Sequence, residues 1–276
     1  MTINCRGTLL DLSTPIVMGI LNITPDSFFE GSRMKTEHEV RGQVEQMLEE
    51  GARIIDIGGV SSRPGADFVP VKEELNRVIP IIDLLVKHYP EALLSIDTYR
   101  AEVAKESIQS GIHLINDISA SSIDDALLDV VAKNEVPYVL MHMQGTPETM
   151  QQKPHYKSVV VDVLDFLIEK IALLKKKGIE DIIIDPGFGF GKTIAHNYQL
   201  LNHLAVYKTL QMPILAGISR KSMIWKVLGN TPEKALNGTT ALHVIALQNG
   251  ASILRVHDVK PAMEAIQLME ILDKHQ

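Results

Sequence analysis

The sequence predicts a closed barrel of eight parallel strands alternating with helices, an α/β (β/α)8 TIM barrel with a short N-terminal β-hairpin. Three observations carry this. Eight short apolar runs recur along the 276 residues, separated by stretches of helical periodicity. The length matches the roughly 250 residues typical of that fold. The turn after the first main run, Asn22-Ile23-Thr24-Pro25, lacks the glycine fingerprint that a doubly wound open sheet normally carries there.

In chain order, residues 3–12 alternate loosely around Arg6-Gly7 and are expected to form a hairpin covering one end of the fold. Residues 16–21 read as a buried strand ending at Asn22, then a loop with Pro and Asp to about Met34, then a helix over about 36–50. The unit repeats as strand 53–58 with helix 71–87, and strand 93–97 with helix 99–110. Strands at 112–117, 137–142, 181–185, 213–217 and 252–257 complete the set. The helix at about 156–177 ends in Lys175-Lys176-Lys177-Gly178, with cations at the negative end of the dipole and a glycine stop. That charge run reads as a solvated terminus.

Composition narrows the function. With 45% hydrophobic and 22% charged residues, the chain has globular proportions, and one domain over 1–276 is expected. A formal charge of −7 argues against a nucleic-acid partner, while leaving room for a local cationic pocket that takes an anionic small molecule. The lone Cys5 cannot pair within the chain, which fits a reducing compartment. The first residues show no basic segment leading into an apolar one, and no apolar run approaches the roughly 18 residues of a membrane span. A cytoplasmic protein with no membrane partner is the expectation.

In such barrels the chemistry sits at the carboxyl ends of the strands. Here those ends are polar: Asn22, the Gly58-Gly59 turn with Ser61-Ser62-Arg63, Asp97, Asn116-Asp117, His142, Asp185, Ser219-Arg220-Lys221-Ser222, and Arg255 with His257. Each has a plainer explanation. Asp97 precedes an expected helix, so capping accounts for it as well as a site role does. Asn116 shares the face of Leu114, whereas Asp117 suits a cap for the following turn. Arg255 and His257 are two apart on the last strand, so they share a side and make a cationic pair. The loops after the seventh and eighth strands often bind phosphate in this fold, and Lys221 and Arg63 add charge to that rim. Two carboxylates and an amide at one mouth suit a heterocycle rich in N–H donors.

The stretch Asp185-Pro186-Gly187-Phe188-Gly189-Phe190-Gly191-Lys192-Thr193 invites a nucleotide reading and fails it. A phosphate loop needs glycine where Pro186 stands, and the dinucleotide pattern needs it where Lys192 stands. Asp185 is then the chemical residue, Phe188 and Phe190 shape the turn, and Lys192 is expected at the surface. His142 has no second histidine at metal-ligand spacing, so a tightly held zinc is not expected. No Gly-x-Ser-x-Gly elbow supports a hydrolase.

Taken together these strand ends resemble the dihydropteroate synthase family over essentially the whole length. The first signature is 18–28, Met-Gly-Ile-Leu-Asn-Ile-Thr-Pro-Asp-Ser-Phe, and the second 58–66, Gly-Gly-Val-Ser-Ser-Arg-Pro-Gly-Ala. Ser95-Ile96-Asp97-Thr98, Asn116-Asp117-Ile118-Ser119, 185–192, 217–222 and Arg255-Val256-His257-Asp258 follow in the family's order.

The resemblance implies condensation of 6-hydroxymethyl-7,8-dihydropterin pyrophosphate with p-aminobenzoate, giving 7,8-dihydropteroate and pyrophosphate, with sulfonamides competing for the aminobenzoate site. By position it implies that Asp97, Asn116, Asp185 and Lys221 grip the pterin, and that Asn22, Arg63, Arg255 and His257 hold the pyrophosphate with Mg²⁺, Asn22 being the metal ligand. Ser222, Ser62, Pro64 and Phe28 would shape the aminobenzoate pocket. In the family's mechanism pyrophosphate leaves first, so Asp97, Asp185, Lys221 and Arg255 are the expected catalytic residues. A homodimer is implied as well. Val60 stands where the family often has an acidic residue, Ser62 where threonine is usual, and Ala120 where glycine is more usual; the last is expected to matter little. The rival readings are a methyltransferase moving a methyl group from methyltetrahydrofolate to a corrinoid protein on the same barrel, and a non-catalytic pterin-binding paralogue.

Overall fold

Strands β1 (Thr2–Cys5) and β2 (Thr8–Asp11) form an antiparallel hairpin across Arg6-Gly7, burying Ile3, Cys5 and Leu10 on one face. The computed structural model of the chain describes residues 1–23, 33–60 and 68–275. Phe28, Ser62, Arg63 and Pro64 therefore lie outside the described residues.

The parallel strands are β3 (Ile16–Asn22), β4 (Ile54–Gly58), β5 (Leu93–Asp97), β6 (Leu114–Asp117), β7 (Tyr138–Met141), β8 (Ile182–Asp185), β9 (Leu215–Ala216) and β10 (Ile253–Val256). They lie side by side in the order β8-β7-β6-β5-β4-β3-β10-β9. A parallel bridge between Ile184 and Ile214 joins the two edges and closes the barrel. The expected strand at 213–217 shrinks to two ladder residues. Pro213 has no N–H to give a ladder, although its carbonyl still accepts from Ile184 N at 2.9 Å.

Around the barrel run α1 (Arg33–Glu49), α2 (Val71–His88), α3 (Ala101–Gln109), α4 (Leu127–Asn134), α5 (Val159–Lys176), α6 (Ile194–Asn202), α7 (Ser222–Trp225), α8 (Leu236–Gln248) and α9 (Val259–Lys274). Their apolar residues recur at helical spacing, as Val40, Val44 and Met47 do on α1. These side chains meet the outward-facing strand positions, among them Val17, Ile55, Leu94, Ile115 and Ile184, in one continuous cluster. Each such side chain buried contributes about 1.5–3 kcal/mol.

The inward-facing positions divide by height. Met18, Ile54, Leu93, Leu114, Val139, Ile183, Leu215 and Ile253, one from each strand, form a separate apolar cluster with Ile3, Cys5 and Leu10 of the hairpin. The hairpin is thus the floor of the barrel. Two residues further along each strand, where the pleat returns to the same face, stand Ile20, Asp56, Ser95, Asn116, Met141, Asp185, Gly217 and Arg255. The floor is apolar and the layer above it carries charge.

Candidate active site

Arg255 organises one half of the mouth. Its Nε donates to Asp56 Oδ2 at 2.6 Å and its Nη2 to Asp97 Oδ2 at 2.7 Å. Asn116 Nδ2 donates to the same Asp56 oxygen at 2.9 Å, so Asp56 sets the orientation of both neighbours. Asp56 is fully buried, and its Oδ1 has no hydrogen-bond partner among the described residues. Burial, opposed by Arg255 and reinforced by Asp56, Glu74 and Asp117, pushes the Asp97 carboxyl up to about 7. Against burial, the Asp56 and Asp97 charges hold Arg255 above its ordinary value.

Asp185 and Lys221 make the other half. Asp185 ends β8, and its Oδ1 accepts the Gly187 N–H at 2.7 Å. Lys221 Nζ donates to the Phe188 carbonyl and lies 4.7 Å from the centre of the Phe190 ring. Gly217 separates the pair: a Cβ there would sit 3.7 Å from both Asp185 Oδ2 and Lys221 Nζ. Burial raises the Asp185 carboxyl, with Lys221 pulling it back, and lowers Lys221 to about 8, with Asp185 pulling it back. Each half feels the other, since Arg255 and Asp97 both act on Lys221.

Asn22, at the end of β3, is exposed, and its Oδ1 lies 3.6 Å from where a Cβ on Gly58 would be. His257 Nδ1 lies 3.1 Å from Ser219 Oγ, which also accepts the His257 backbone N–H at 3.2 Å. Ser222 opens α7 directly after Lys221. Asp97, Asn116 and Arg255 are therefore linked to one another, and Asp185 faces Lys221. Of the expected cationic pair, Arg255 is bracketed by two carboxylates and His257 meets Ser219.

With this geometry in place, comparison with known proteins is decisive. Residues 18–257 match the pterin binding enzyme family. The dihydropteroate synthase of Escherichia coli K12 is 46% identical over 272 residues, covering 98% of this chain and 96% of the relative. The chain belongs to the dihydropteroate synthases. Two solved members superpose over nearly all of it. The Yersinia pestis dihydropteroate synthase with a sulfonamide drug is 43% identical, with a TM-score of 0.92 over 100% of both chains. The Xanthomonas albilineans dihydropteroate synthase with 7,8-dihydropteroate is 41% identical, with a TM-score of 0.87 over 99% of each.

Within this barrel, further readings from sequence need revision. Asp56 was missed as a site residue; its signal is a carboxylate at an inward position of an otherwise apolar strand, two residues past Ile54. Asp97 caps no helix: α3 begins at Ala101, whose N–H is accepted by Asp124 Oδ2 at 2.7 Å. Lys192 is not at the surface but 3% exposed. Carbonyls from two loops converge on its ammonium, a non-local arrangement that its exposed-by-default residue type hides.

Asp117 does the supporting work expected of it, accepting from Ser119 N and Ser121 N at 2.7 Å each and from Tyr138 OH at 2.5 Å. The turn it holds puts Ala120 and Ser121 at φ of 50° and 59°. Ala120 therefore occupies a left-handed conformation that glycine adopts without strain, so this exchange carries a cost in stability.

Proposed function

We propose that the barrel mouth joins 6-hydroxymethyl-7,8-dihydropterin pyrophosphate to p-aminobenzoate, releasing pyrophosphate and 7,8-dihydropteroate. The observation that carries this reading is the ring of Asp56, Asn116, Asp185 and Arg255 directly above a closed apolar floor. Such a pocket offers carboxylate and amide acceptors to a flat heterocycle that is rich in N–H groups.

In this reading Asp97, Asn116, Asp185 and Lys221 hold the pterin ring, and Arg255, His257 and Arg63 face the pyrophosphate. The bond from the exocyclic methylene to the pyrophosphate oxygen breaks, leaving positive charge spread into the ring. Asp97 and Asp185, fixed by Arg255 and by Gly187 N–H, stabilise that charge without reorganising. The aniline nitrogen forms the new C–N bond and its proton is lost to water. Ser222, Ser62, Pro64 and Phe28 shape the aminobenzoate side by resemblance to the family.

A magnesium ion fits this donor set. Mg²⁺ keeps most of its waters and binds through few protein oxygens plus substrate phosphates. Among the described residues no group of three or more His, Cys, Asp or Glu side chains forms a cage, while the Asn22 amide oxygen lies uncovered beside Gly58. When bound there the ion neutralises charge on the leaving pyrophosphate. Leu236 and Ile245 on α8 and Leu268, Ile271 and Leu272 on α9 are exposed apolar residues on helices that pack together, which supports a homodimer. A cytoplasmic location completes the reading, supported by the single unpaired cysteine. No helix among the described residues is long and apolar enough to cross a membrane.

The test is direct. Purified protein with the pterin pyrophosphate, p-aminobenzoate and Mg²⁺ is expected to yield 7,8-dihydropteroate and pyrophosphate, and a sulfonamide to compete with p-aminobenzoate. No product under these conditions overturns the reading.

A further inference from the structure

The loop after Asp185 has an unusual feature in its carbonyls. Gly187 O and Phe190 O each accept from Lys192 Nζ at 2.9 Å. Phe188 O accepts from Lys221 Nζ, Gly189 O from Gln151 Nε2 at 2.6 Å, and Gly191 O from Tyr156 OH at 2.8 Å. Every carbonyl from 187 to 191 is therefore taken by a side-chain donor and none by a helix or sheet ladder, although Gly187 O also accepts the Phe190 N–H at 3.1 Å in a turn. Lys192 Nζ also lies 2.9 Å from His142 Nδ1 and 3.3 Å from the His142 carbonyl. One ammonium thus gathers oxygens from the turns after two adjacent strands, β7 and β8.

Converging carbonyl dipoles repel one another unless a cation lies between them, which is how backbone oxygens come to hold metal ions. Here the cation belongs to the chain. Burial pulls its proton affinity well below that of an ordinary lysine, with Asp185 pulling it back. The charged form carries three N–H bonds for the three contacts at 2.9 Å, whereas a neutral amine would have two. Burial and Lys192 push His142 down to about 2, so its imidazole stays neutral, and in the tautomer protonated at Nε2 its Nδ1 accepts from the ammonium. The backbone is shaped to the same point. Gly187 is at φ +73°, and a Cβ on it would sit 1.8 Å from the His142 carbonyl and 3.3 Å from Lys192 Nζ.

We propose that Lys192 is a positioning residue for Asp185 and Lys221, its caged ammonium serving as a built-in structural cation around which the 187–191 loop folds. The link is short. The Gly187 N–H holds Asp185, the Phe188 carbonyl anchors Lys221, and both belong to the loop that Lys192 closes at Gly187 and Phe190. The proposal rests on reading Asp185 and Lys221 as pterin-binding groups.

Two variants of the full chain test it. Lys192→Ala leaves the cage empty, and Lys192→Met fills it without charge. Affinity for the pterin pyrophosphate, measured by calorimetry, is expected to fall about 10–100-fold in both, the range for losing a group that orients a direct ligand. The KM for p-aminobenzoate is expected to change far less. Ammonium chloride should restore much of the affinity of Lys192→Ala, sodium chloride at equal ionic strength should not, and Lys192→Met should respond to neither. Wild-type affinity in Lys192→Met, or equal effects of the two salts, overturns the proposal. Should the variants not fold, ¹⁵N NMR of the wild-type lysine side chains decides. One ammonium signal with slow solvent exchange is expected in the free protein, shifting when the pterin pyrophosphate is added; absence of that signal or of the shift overturns the proposal. A wild-type protein that binds no pterin instead removes the functional reading beneath it, a separate outcome.

Discussion

Arg255 Nη2 reaches Asp97 Oδ2 at 2.7 Å from β10 to β5, two strands that β3 and β4 keep apart in the sheet. The same guanidinium grips Asp56 on the intervening β4. A planar fork can serve two carboxylates at once, which a lysine ammonium on a flexible stem does less well.

Arg255→Ala leaves Asp56 buried without its counter-charge. Breaking such a pair by removing one partner costs about 3 kcal/mol or more. Chemical denaturation of Asp56→Ala, Arg255→Ala and the double variant should give a coupling of more than about 1 kcal/mol. Simple additivity would show that the contact does not matter to stability.

Removing single ligands should separate the two halves of the mouth. Asp185→Ala is expected to weaken binding of pterin alone, and Arg255→Ala chiefly that of pyrophosphate. The size expected is about tenfold or more, as for a lost charge-assisted hydrogen bond of roughly 1.5–3 kcal/mol. Calorimetry with each ligand would expose the opposite assignment.

The pH dependence follows from Asp97 at about 7 and Lys221 at about 8. Accepting from the pterin requires the carboxylate, and donating to it requires the ammonium. kcat/KM should therefore rise as pH passes about 7 and fall above about 8. Stability runs the other way. Asp97 is raised, so the folded state holds the extra proton between the ordinary carboxylate value of about 4 and the folded value, and stability from this group falls as pH climbs through that window. Lys221 is lowered, so its contribution recovers as pH rises from its folded value towards about 10.4. The pH that suits the chemistry is the one at which these two groups cost the fold most. A flat kcat/KM profile from pH 6 to 9 would contradict both assignments.

Ala120→Gly should relieve the left-handed strain at φ 50°. The strain is worth about 1–2 kcal/mol, and the added freedom of glycine in the unfolded chain takes back about 0.5–1. A rise in the thermal midpoint with unchanged kcat is the expected result, and a fall would show that the turn does not constrain this residue.

Leu10→Ala opens the barrel floor. Leu10 is 1% exposed and packs in the apolar layer inside the strands. The loss should be about 3 kcal/mol by the usual cost of a large-to-small core change. Pterin affinity should hold if the floor only supports the polar layer.

The short apolar runs recurring between helical patterns made the barrel readable, and the polar residue that ends most runs made much of the mouth readable. Asp97, Asn116, Asp185, Lys221 and Arg255 stand where alternation and strand ends place them. Asp56 escaped because it lies inside an apolar run rather than at its end, two residues before Gly58 closes β4, so no strand-end signal marks it. Lys192 escaped for a different reason. Its partners, the carbonyls of His142, Gly187 and Phe190, are backbone atoms, which no residue letter encodes. The dimer surface and the aminobenzoate side rest on the resemblance.

The hairpin that stoppers the amino end of the barrel also dictates traffic. A vessel with one opening serves its guests in sequence: in the proposed reading the pterin settles on the carboxylates at the bottom before p-aminobenzoate caps it, and the joined product backs out after pyrophosphate has cleared the rim. In the proposed reading, kinetics with an ordered first substrate, and product inhibition competitive against that substrate alone, are the expected result of a single doorway.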